Sequence, residues 1–121
     1  MRLKEIVQDG IDVFVLEGEI DFHFAPCFRA LLQSKLKVQC PALVLDFAGV
    51  DFIDSRGIAL VIEYLRDCAA YGGKVCLASL NPDVQPIIDM VRLETVMPIF
   101  GSVPQAIAAL KNPPASPRAV V

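Results

Sequence analysis

The chain has 121 residues, 55% of them hydrophobic and 21% charged. That balance is too apolar for a disordered segment, yet no run approaches the roughly 18 consecutive apolar residues of a membrane helix. Fourteen acids against eleven bases leave a net charge of −3, without the basic footprint of a nucleic-acid binder. Arg2, Lys4 and Glu5 follow the first methionine with no signal-peptide core behind them. One cytoplasmic domain without membrane insertion is the expectation.

Leu3–Gln8 is a short mixed segment, followed by Asp9-Gly10 and the Val-, Ile- and Phe-rich run Ile11–Glu17. Asp-Gly between two strand-like runs predicts a two-residue hairpin, because that turn needs positive φ at both central residues. Apolar residues at Val13, Phe14, Val15 and Leu16 occupy both alternating sets, so the second strand should be covered on both faces. Gly18-Glu19-Ile20-Asp21 is read as leaving the sheet. From Phe22 the period becomes helical, with Phe24, Phe28, Leu31, Leu32 and Leu36 on one face and Pro26 in the first turn. Cys40-Pro41 stops that helix.

Ala42–Phe47 has the length and composition of a central strand, and a loop containing Gly49, Val50 and Asp51 is expected to lead to Asp54. Ile58, Val61, Ile62, Leu65 and Ala69 form the next helical stripe, with Gly72-Gly73 closing it. Lys74–Ser79 is a strand. Asn81-Pro82 reads as a helix cap followed by a first-turn proline, and Val84, Ile87, Ile88 and Val91 supply that helix's apolar face. Met97–Phe100 is a short strand candidate. Ser102-Val103-Pro104-Gln105 has the capping-box pattern ahead of a last helix carrying Ile107 and Leu110.

The order β-β-α-β-α-β-α-β-α predicts an α/β domain over residues 1–111. It should hold a mixed sheet of four to five strands opening with a β-hairpin, and about four helices mainly on one face. Residues 112–121, beginning Asn-Pro-Pro-Ala-Ser-Pro, read as a flexible tail. The exposed edge at Leu3–Gln8 is compatible with a monomer or a weak dimer.

The chemistry-bearing residues are few. There is one histidine, His23, and four cysteines (Cys27, Cys40, Cys68, Cys76) without close-spaced pairs, so no metal site is expected. The cysteines sit among apolar neighbours and read as small core residues. Asp46, Asp51 and Asp54 cluster around one strand. They fit a strand end, a loop turn and a helix cap; a magnesium-binding phosphoaspartate receiver would need an acidic pair after its first strand, which Gly18-Glu19-Ile20-Asp21 does not supply. No Walker loop or GxGxxG is present, which leaves a nucleotide-binding protein without a motif.

Ser55 stands at the mouth of a helix, where free amides and the positive dipole end favour negative charge. It reads either as that helix's N-cap or as a modification site. A phosphate there would add about −1.5 to −2 charge without unfolding the helix, and would repel a docked partner.

Taken in register, Glu17-Gly18-Glu19-Ile20-Asp21, Val44-Leu45-Asp46-Phe47, Val50 through Leu60 (containing Asp54-Ser55-Arg56-Gly57-Ile58-Ala59) and Gly72-Gly73-Lys74-Val75 resemble a STAS domain. The closest type is the stand-alone bacterial anti-sigma factor antagonist. The resemblance implies a non-enzymatic partner switch with no cofactor. An anti-sigma factor that is also a serine kinase binds the unphosphorylated form; phosphorylation of Ser55 releases it, and a serine phosphatase restores binding. ATP would belong to the kinase. Asp21, Asp54, Arg56, Gly57, Ile58 and Ala59 are the expected partner-binding residues. Arg56 departs from the small or hydroxylated residue usual beside the acceptor. The alternative is a constitutive STAS adaptor of a lipid-transport ATPase complex or a stress-signalling scaffold, in which Ser55 only caps the helix and Arg56 is a permanent interface charge.

Overall fold

A computed structural model describes residues 2–111; the tail expected at 112–121 lies outside the described residues. The elements are β1 (Arg2–Gln8), β2 (Ile11–Ile20), α1 (Ala25–Lys37), β3 (Ala42–Ile53), α2 (Ser55–Ala69), β4 (Lys74–Ala78), α3 (Gln85–Val91), β5 (Ile99–Phe100) and α4 (Val103–Lys111). A short 3₁₀ turn at Leu93–Thr95 precedes β5. The five strands stand in sequence order, β1-β2-β3-β4-β5, with β1 antiparallel to β2 and every later pair parallel.

The hairpin forms where Asp9-Gly10 places it. Both residues have positive φ, 53° and 80°, and Gln8 faces Ile11 across the turn. Each following strand is added on the same side of the last. Because β-helix-β crossovers are right-handed, α1, α2 and α3 must then share one face of the sheet. Phe14, Leu16, Leu43, Leu45, Phe47, Val75 and Leu77 point into that side and pack with Phe28, Leu32, Val61, Tyr64 and Ile88. No crossover constrains α4, which follows the last strand. It covers the back, where Ala106 and Ile107 meet Val13, Val44, Cys76 and Ala78. Strand β2 is thus buried on both sides, with Val13 and Phe14 fully enclosed.

Several boundaries differ from the sequence reading. β2 does not end at Glu17 but continues to Ile20, and β3 does not yield to a loop after Phe47 but runs to Ile53. The two pair in parallel along this whole length, with register shifts between Val15 and Glu17 and between Gly18 and Glu19. Both shifts are bulges on β3, the second placing Asp51 outside the ladder. Polar residues that read as a loop are thereby kept in a strand by its neighbour's hydrogen bonds. α3 starts at Gln85 rather than at Pro82. Asn81 instead holds the preceding turn, accepting from the Asp83 amide at 2.9 Å. Cys27 is exposed rather than in the core; Cys40, Cys68 and Cys76 are buried.

A polar cluster ties α1 to the hairpin. The Lys35 ammonium, on a buried side chain, donates to Glu5 and, at 2.9 Å, to Asp12; the Cys40 thiol lies 3.3 Å from the same Asp12 oxygen. Asp12 is held below its usual value of 3.8 by the Lys35 hydrogen bond, against the opposing effect of burial. Burial works against the Lys35 charge, but the two carboxylates outweigh it and raise the group above 10.5.

Candidate partner-binding site

Parallel pairing of β2 and β3 brings their C-terminal ends together, with Ile20 opposite Ile53. The next residue of each chain segment is an aspartate. Asp21 turns into α1 and Asp54 into α2, and the Asp54 amide donates to the Ile20 carbonyl at 3.2 Å, joining the two turns. The outside of such carboxyl ends is where α/β sheets commonly present their sites.

Each aspartate organises a helix start. The Asp54 carboxylate accepts from the Arg56 and Gly57 amides, both at 3.0 Å, and is the N-cap of α2. Ser55 is therefore the first helical residue and not the cap. It is exposed, and its hydroxyl is not engaged with the described residues. The Asp21 carboxylate accepts from the His23 and Phe24 amides at 3.1 Å, while its carbonyl accepts from Phe24 and Ala25. α1 has no capping side chain of its own, so Asp21 sets its start.

The six residues expected to meet a partner divide three ways. Arg56 and Ala59 are exposed, whereas Asp21 and Asp54 are half-buried and occupied by amides. Gly57 and Ile58 are buried and form no part of the surface. A Cβ on Gly57 would lie 2.7 Å from Ile53 Cγ1 and 2.8 Å from Ile20 Cγ2. Glycine is needed there because the first turn of α2 sits directly on the ends of both strands. Ile58 packs into the helix-covered core.

The consecutive aromatic rings of Phe22, His23 and Phe24 also divide. Phe24 stacks on Phe28 at 5.7 Å and joins the core, but Phe22 remains 53% exposed. Its ring lies 4.0 Å from the His23 ring and 5.9 Å from the Arg56 guanidinium. Thirty-odd residues of intervening chain hide this aromatic–cation contact from any spacing argument; the exposed aromatics and the unusual arginine were its only traces. Arg29 on α1 reaches Glu63 on α2 at 2.8 Å, fixing the two helices beside the site. The described residues contain no group of three or more potential metal ligands, and no described helix is long and apolar enough to cross a membrane.

The sequence pattern of the STAS domain matches residues 3–106, which is nearly all of the described chain. The chain belongs to the STAS-domain family. The STAS chain is 27% identical over 103 residues to the anti-sigma F factor antagonist of Paenibacillus polymyxa, an alignment covering 84% of this chain and 88% of that one. Its fold is similar to the crystal structure of an anti-sigma factor antagonist from Mycobacterium paratuberculosis, with TM-score 0.84, 22% identity, and 92% and 94% of the two chains covered. It is also similar to the Bacillus cell fate determinant SpoIIAA in its phosphorylated form, with TM-score 0.70, 22% identity, and 90% and 99% covered. The α/β architecture with a five-stranded mixed sheet is thus that of the family.

Proposed function

We propose that this STAS domain is a non-enzymatic anti-sigma factor antagonist whose binding is switched at Ser55. One observation carries the reading. Asp54 takes over the capping of α2, so the exposed Ser55 at the first helical position has a hydroxyl without a hydrogen bond to the described residues. The similarity to antagonists, one of them described in a phosphorylated form, supports the same reading.

The chemistry requires only an accessible acceptor. Ser55 Oγ forms a bond to the terminal phosphorus of an ATP held by the partner kinase. The bond to the ADP oxygen breaks, ADP leaves, and the hydroxyl proton passes to a base on the kinase or to water. A serine phosphatase reverses the modification by hydrolysis to inorganic phosphate. The added charge of about −1.5 to −2 sits at the positive end of α2, which tolerates it. It also lands on the face that Arg56, Ala59 and Phe22 present, with Asp21 and Asp54 framing it, and forces a partner docked there to desolvate a dianion. Binding is lost while the fold is kept.

The test uses the full chain and the anti-sigma factor of the same host, produced pure. Incubation with ATP should add about 80 Da, one phosphate, to the wild type and nothing to Ser55→Ala. Titration calorimetry should show Ser55→Ala binding like the wild type and Ser55→Asp binding at least tenfold more weakly, with unchanged circular dichroism. Equal affinities for wild type and Ser55→Asp, together with no mass gain, would replace the switch by a constitutive adaptor.

A further inference from the structure

Between α1 and the first turn of α2 lies a depression lined by Phe22, Ala25, Pro26, Arg29, Arg56 and Ala59. Its composition is unlike the rest of this acidic chain, whose net charge is −3. Two arginines line it beside the apolar Ala25, Pro26 and Ala59, and no carboxylate is among its lining residues.

The two arginines are differently committed. Arg29 spends Nη1 on Glu63, at 2.8 Å. Arg56 makes no ion pair or side-chain hydrogen bond with the described residues; its contact is the Phe22 ring, 5.9 Å from the guanidinium carbon. A cation over a ring face loses none of its N–H donors, since the ring accepts through its π-electrons. All five donors of Arg56 thus stay available for a planar, two-pronged acceptor. The His23 ring lies tilted against Phe22, with centroids 4.0 Å apart and planes at 33°, and so flanks the ring that the guanidinium faces. Holding the fork in advance removes part of the entropy cost that an arginine loose in water would incur on binding.

We propose that this depression is a specificity pocket for a single aspartate or glutamate side chain of the protein partner, with an apolar residue beside it against Ala25, Pro26 and Ala59. The assignment rests on the partner-binding reading of this face, and it deepens that reading by naming the chemistry of the contact. Charge complementarity selects the occupant. The chain's net charge of −3 disfavours a generally acidic protein, so the partner should carry one well-placed carboxylate in a neutral or basic surrounding. Arg56 then confers specificity, because the paired fork leaves an unsatisfied buried charge whenever the carboxylate is missing.

The experiment measures affinity of the host's purified anti-sigma factor for the full chain carrying Arg56→Ala, Arg56→Lys, Arg56→Glu or Ser55→Asp. Arg56 is exposed, so these variants should keep the wild-type melting temperature. Arg56→Ala should weaken binding roughly 30-fold or more, the range for losing one member of a desolvated charge pair. Arg56→Lys should recover only part, since an ammonium lacks the fork. Arg56→Glu should be rescued by one Asp→Arg or Glu→Arg change on the partner, found by scanning its acidic residues. Arg56→Ala within about threefold of wild type, while Ser55→Asp abolishes binding, would overturn the pocket and leave the switch standing. Loss with Arg56→Ala but not with Ser55→Asp would establish the pocket and remove the switch. Loss in Arg56→Glu that no partner charge reversal restores would also overturn the pocket.

Discussion

Replacing Asp54 by alanine isolates the contact that frees Ser55. Two amide hydrogen bonds disappear, from Arg56 and Gly57, each 3.0 Å in the native fold. They are not equal. Arg56 is exposed and its amide can turn to water, whereas Gly57 is buried between Ile20 and Ile53 and its amide cannot. The loss should therefore fall in the upper half of the range for an N-cap deletion, about 1–2 kcal/mol. For a domain of this size that corresponds to a melting temperature lowered by about 4–10 °C. Asp54→Asn keeps an acceptor oxygen and should forfeit only the charge–dipole part, about 0.3–1 kcal/mol. Urea denaturation followed by far-ultraviolet circular dichroism measures both variants. Amide exchange adds locality: the Arg56 and Gly57 amides should exchange faster in Asp54→Ala while the amides of β3 hold to the extent that global stability allows. An Asp54→Ala protein as stable as wild type would refute the cap. Equal destabilisation by asparagine and alanine would refute the acceptor role. Either result would return Ser55 to a capping task and weaken the case for its free hydroxyl.

Lys35→Met should destabilise the domain by about 1–3 kcal/mol, less than a fully buried pair would lose, because Glu5 and Asp12 keep 46% and 27% side-chain exposure. Asp12 has a folded value below its ordinary 3.8, so the stabilisation is present above that pH and is lost as pH falls through the folded value. Urea midpoints from neutral pH down should show the wild-type advantage shrinking below about pH 4; an advantage that stays constant would contradict the Lys35–Asp12 coupling. Lys35 itself, raised above 10.5, keeps its contribution up to that pH and loses it only as pH rises through the folded value. Thiol titration provides an independent check of the core. Cys27 is exposed and should react first, whereas burial pushes Cys40 and Cys76 up to about 11 and about 12 and raises Cys68 as well. One fast equivalent in the native protein and four after denaturation are expected; two or more fast native equivalents would show that the sheet's back or the α1–β3 junction opens.

What the amino-acid order determined by itself is largely local. Asp9-Gly10 can satisfy positive φ at two successive residues and little else in the chain can, so the hairpin is legible before any contact is known. The change from a period of two to a period near 3.6 after Phe22 places α1, and the later stripes place α2 and α4, because helix formation depends on neighbours three and four residues away. The motif around Ser55 also declares itself, since cap, small residue and helix stripe follow one another within a few positions. Tertiary structure decided the rest. Gly49 and Asp51 read as a loop and are strand, because β2 supplies the missing hydrogen bonds and two bulges absorb the excess length. The same pairing sets Ile20 against Ile53, leaves room for nothing larger than Gly57, and turns Ile58 inward. It also carries Phe22 to within reach of Arg56, a contact between residues whose separation in the chain encodes no distance. The residues around the switch were visible in the sequence, but which of them cap, which fill the core and which face a partner depends on how two parallel strands end.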